Sequence, residues 1–107
     1  MKETDLQRLY KNEVFTDTNG AILRFLILLS KEKVTLSALH GLFPEVTSED
    51  FSICVRYLWD EGYIRLTDMI KGCKVDPDAD YRETRITLTG AGIALLKGAK
   101  VNPAVSM

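Results

Sequence analysis

The strongest constraint in this chain is a change of hydrophobic period at Gly62. Before it, SEDFSICVRYLWDE places Phe51, Cys54, Val55 and Leu58 at the i, i+3, i+4, i+7 spacing of a helix with one face in a core. The outward face is then Glu49, Ser52, Ile53, Arg56 and Asp60. After Gly62, YIRLTDMI alternates, with Ile64 and Leu66 on one side and Arg65 and Thr67 on the other, which is the period of a half-buried strand. A second alternating run, RETRITL, sends Ile86 and Leu88 inward and Arg85 and Thr87 outward. Together the two runs predict an antiparallel hairpin between residues 63 and 88. At 107 residues the chain holds one domain, so a helix feeding directly into a hairpin leaves few architectures open.

The punctuation around this core agrees. Thr47 or Ser48 caps the helix before Gly62, with Glu49 and Asp50 in the first turn where negative charge is favoured. Upstream, Thr35 caps a second helix carrying Leu36, Leu39, Leu42 and Phe43, and Pro44 ends it. Further upstream, TDTNG offers Asp17 or Thr18 as the cap of AILRFLILLSKEK, predicting a helix over 19–31 that closes on Lys31 and Lys33. That helix is apolar nearly all round. Ile22, Phe25, Leu26 and Leu29 form one face, so Leu23, Ile27 and Leu28 must meet either the terminal segments or a second copy of the chain. These three are assigned to a homodimer interface. Residues 1–18 form an N-terminal segment with a short helix from Asp5 to about Phe15, through Leu6, Leu9 and Tyr10. Thr89 caps a last helix, GAGIALLKG, that ends at Gly98, and residues 99–107 are expected to be a frayed tail. Between the strands, KGCKVDPDADY is too long for a tight turn and is expected to be a mobile exposed tip.

Composition excludes several classes. No apolar run reaches the roughly 18 residues of a membrane span, so no membrane association and a cytoplasmic location are expected. Cys54 and Cys73 have no CxxC partner, and no nucleophile motif lies near His40, the single histidine. Asp76, Asp78 and Asp80 have the opening spacing of a calcium loop, but Tyr81 and Thr87 stand where Gly and Glu would be needed. No metal, no cofactor and no enzyme activity are expected. The net charge of −1 hides an uneven distribution. Residues 1–33 carry six basic and five acidic groups, 34–70 two and six, and 71–107 six and four. An acidic centre with basic flanks is not the basic stripe of a chain devoted to gripping phosphate.

The order of helix, helix, turn, helix, hairpin, helix, with RYLWDEGYIRL running into the hairpin and ITLTGAGIALL leaving it, resembles the winged helix-turn-helix superfamily in its MarR-like and PadR-like pattern. The match covers residues 19–98. It implies a mainly α fold of three helices, a two-stranded wing and a short C-terminal helix. It also implies a DNA-binding transcription regulator whose third helix enters the major groove and whose wing touches the backbone. Those roles fall on Ser48, Ser52, Arg56 and Tyr57 of the helix and on Lys71, Lys74, Arg82 and Arg85 of the wing, with double-stranded DNA as partner. The alternative is a winged-helix module for protein–protein interaction or assembly without DNA, because the third helix carries one arginine between Glu49 and Asp60.

Overall fold

A computed structural model describes residues 3–106, with side chains from residue 11 onward. Six elements follow one another: α1 (Glu3–Leu28), α2 (Leu36–His40), α3 (Ser48–Asp60), β1 (Ile64–Asp68), β2 (Thr84–Leu88) and α4 (Gly90–Leu96). This is a winged helix-turn-helix: α2, a turn and α3, then an antiparallel hairpin pairing Ile64 with Leu88 through to Asp68 with Thr84. Three threonines start the later helices. Thr35, Thr47 and Thr89 accept from the backbone N–H of Ala38, Asp50 and Gly92 at 3.1, 3.1 and 3.2 Å.

The change of period at Gly62 is built as a Schellman stop. Gly62 N–H donates to the Trp59 carbonyl and Tyr63 N–H to that of Leu58, both at 3.0 Å, and Gly62 takes the φ of 77° that this closure requires. Ile64 and Leu66 then enter the core alongside Ile86 of β2, under Phe51, Val55 and Leu58 of α3. A single bridge from Thr35 to Arg85 adds the segment before α2 to the far edge of β2.

The structure corrects the reading at both ends of the chain. No break occurs at residues 17–19: α1 is one helix of 26 residues, and Thr18 and Asn19 are buried inside it. The TDTNG run is therefore a notch for the C-terminal segment, which crosses α1 there. Ser106 N–H donates to the Thr16 carbonyl at 3.0 Å, Asn19 Nδ2 to that of Ala104 at 2.9 Å, and Arg24 Nη1 to that of Ser106 at 2.8 Å. Val105 is buried in the core, so residues 102–106 form a strap and not a frayed tail. The strap and α4 both pack on α1, and Leu23 is fully buried within one chain. The expected packing of Leu6, Leu9 and Tyr10 lies outside the described side chains. Among the described residues no helix is long and apolar enough to cross a membrane.

Candidate nucleic-acid interface

The core-facing stripe of α3 leaves Ser48, Glu49, Ser52, Ile53, Arg56 and Asp60 exposed on the opposite side. Helical spacing alone dictates this face, since Phe51, Cys54, Val55 and Leu58 occupy the other. Tyr57 departs from its expected role. Its ring packs edge-on against Phe15 with centroids 5.1 Å apart, and its hydroxyl exchanges hydrogen bonds with the Asn102 side chain of the strap. Asn102 Nδ2 also reaches the Tyr63 hydroxyl at 2.9 Å, so Tyr57 serves to join α3 to the strap.

The wing is more ordered than a long polar connection suggests. Asp68 Oδ1 accepts from the backbone N–H of Ile70 and Lys71 at 2.8 and 2.7 Å, which folds residues 68–72 into a turn. These two bonds, with Lys71 N–H first, hold the Asp68 carboxyl below its ordinary range. Beyond the turn the chain returns along the outer edge of β1, where Asp68 N–H donates to the Cys73 carbonyl at 2.8 Å and Val75 N–H to that of Leu66 at 3.1 Å. Exposed at this end are Met69, Ile70, Lys71, Cys73 and Lys74.

Residues 76–83 do not project as a tip. Pro77 is buried, Tyr81 packs edge-on against Phe51, and Ser37 N–H donates to the Tyr81 carbonyl at 3.1 Å. The three aspartates each have a partner, local for Asp76 and Asp80 and distant for Asp78. Asp76 Oδ1 accepts from Asp78 N–H and Asp80 Oδ1 from Arg82 N–H, both at 2.9 Å, while Asp78 Oδ1 lies 2.9 Å from Arg56 Nη2. Arg82 is exposed, with Nε 3.6 Å from Asp80. Arg85 is half-buried on β2, and its Nε is enclosed without a hydrogen-bond partner among the described residues.

The ion pair between Arg56 and Asp78 joins the outer face of α3 to the wing loop. Hydrogen bonding to Asp78, then its charge, raises the Arg56 pKa further above its ordinary value, with Asp60 and Asp76 adding to it. Sequence reading singled out Arg56 but saw Asp78 only as part of a metal-type spacing, because nothing local signals a partner 22 residues away.

Of the residues expected at a dimer interface, Leu23 is withdrawn by its burial. Ile27 is half-buried and Leu28 is 78% exposed. Ile27 shares a groove of about 220 Å³ with Leu26, Leu29, Leu88 and Ile93, rimmed also by Ser30, Glu32 and Thr87, between the end of α1, β2 and α4.

No protein-family model matches the chain, and no curated protein matches it significantly. Solved structures do. S. aureus MepR bound to ethidium bromide superposes with a TM-score of 0.59 at 19% identity, over 91% of this chain and 71% of that one. A glycine-to-lysine mutant of S. aureus MepR gives 0.59 at 20% identity, over 92% and 74%. MepR is a MarR-family winged-helix regulator, and at these identities the likeness establishes the fold.

Proposed function

We propose that this chain is a winged-helix DNA-binding regulator, with α3 entering the major groove and the Lys71–Lys74 end of the wing on the phosphate backbone. The observation that carries this reading is the exposed Ser48, Ser52 and Arg56 face of α3, joined to the wing loop through the Arg56–Asp78 pair, together with two exposed lysines at the end of the wing. Ser52 and Arg56 lie one helical turn apart, the spacing with which a recognition helix reaches neighbouring bases. Likeness to MepR supports the same reading. Self-association through Leu28, Ile27 and the groove beside Ile93 would supply the two-fold symmetry that paired half-sites require.

Fluorescence anisotropy with a random-sequence duplex tests the proposal. Binding at low salt is expected, and replacing Lys71 and Lys74 by alanine should make the dependence of log K on log salt shallower by about one to two units. Arg56→Ala should weaken a selected sequence more than random DNA, by roughly 1 to 3 kcal/mol. Absence of binding by the native chain would end this reading. A second one would then lead, favoured by Ile53, which stands 51% exposed in the middle of the same face between Glu49 and Asp60. In that case α3 docks a protein, and Glu49→Gln weakens the complex.

A further inference from the structure

We infer that Asp78 is a specificity-determining residue for duplex DNA: its carboxylate fixes the Arg56 guanidinium so that it reads a base edge instead of anchoring on phosphate. The inference rests on the DNA-binding reading and adds to it a residue of the wing loop.

The geometry is simple. A guanidinium carries five N–H donors, and the single bond from Nη2 to Asp78 Oδ1 at 2.9 Å uses one of them. Enough remain for a bidentate contact to the O6 and N7 acceptors of guanine. Both side chains stay accessible, at 47% and 80% exposure for Arg56 and Asp78. Asp78 is itself presented from a fixed backbone, since its N–H donates to Asp76 Oδ1 at 2.9 Å and the preceding Pro77 is buried.

Charge and entropy separate the two uses of an arginine. Paired with Asp78, and with Asp60 and Asp76 close enough to act on it, Arg56 has its positive charge cancelled locally. It therefore gains little from phosphate, whose attraction depends on net charge. Its remaining donors keep their directionality, and its rotamer freedom is already restricted before DNA arrives, so docking orders less. An exposed ion pair contributes little to stability, which leaves orientation as its main effect.

The experiment selects a preferred duplex from a random library with the native chain. Affinities for that duplex and for random DNA are then measured across a salt series, for the native chain, Asp78→Ala, Glu49→Gln, Arg56→Ala and the Asp78→Ala/Arg56→Ala double variant. Asp78→Ala should tighten random DNA by about two- to fivefold and steepen the salt slope by about one unit. It should also reduce the preference for the selected duplex by about tenfold. Glu49→Gln removes the same charge from the same face without touching Arg56, so it should tighten both duplexes alike. In the Arg56→Ala background the loss of Asp78 should leave the preference unchanged. An undiminished preference in Asp78→Ala would overturn the inference while leaving DNA binding intact, as would failure of the native chain to enrich any sequence. No duplex binding by any variant would instead remove the DNA-binding reading itself, and this inference with it.

Discussion

Cys54 is 1% exposed, with its sulfur 3.8 Å from the Phe15 carbonyl oxygen. Burial, and secondly the charge of Asp50, pushes its thiol from 9.0 up to about 12. In the unfolded chain the thiol ionises near its ordinary value, whereas the folded chain keeps the proton well beyond it. Between these values the folded state binds more protons than the unfolded state, so this contribution to stability is fully present below 9 and is lost as pH rises towards about 12. Urea unfolding from about pH 8 to about pH 11 should accordingly show a larger alkaline loss for the native chain than for Cys54→Ala. Parallel losses would show that the thiol does not feel its surroundings in this way. Cys73, exposed on the wing, has no comparable protection and should be the thiol that reagents reach first.

The strap and α1 define each other. A Cβ at Gly20 would overlap the Ser106 carbonyl oxygen, so Gly20→Ala must displace the strap or bend the helix. Alanine is the better helix former by about 1 kcal/mol, so without the strap this substitution would raise the melting temperature. A fall is expected here, and circular dichroism melting measures it; a rise would mean that residues 102–106 do not sit on α1. The same glycine shows what sequence could and could not convey. Thr35, Thr89, Gly62 and the alternation on both strands were legible because each acts within a few residues of itself. TDTNG has the composition of a helix start, and only the distant strap makes it the middle of a helix. The 76–83 segment was legible only in part for a related reason. Asp76, Asp78 and Asp80 are exposed as a polar connection suggests, but Pro77 and Tyr81 are drawn inward, Tyr81 against Ser37 and Phe51, and Asp78 is paired with Arg56, all far away in sequence. On the candidate interface, exposure of Ser48, Ser52 and Arg56 followed from helical period. The diversion of Tyr57 to Asn102 did not, because its partner is 45 residues away.

At the scale of the molecule, α1 dominates the shape. Its 26 residues span about 39 Å of a domain measuring 50 × 31 × 21 Å. Light scattering at micromolar concentration should give a mass of two chains, reduced towards one by Leu28→Lys, a site exposed enough to accept charge without disturbing the core. A native chain of single mass would remove the dimer from the proposal. The strap has a different consequence for the polypeptide as a whole. Asn19 and Ala104 are bonded across 85 positions, so the C-terminal segment is tied to the middle of α1 by a bond that does not involve the wing loop. One piece, ending in that loop, would hold α1, α2, α3 and β1; the other would hold β2, α4 and the strap, which supply Ile86, Leu95 and Val105 to the shared interior. A single nick between residues 76 and 83 would sever the polypeptide and still leave one domain.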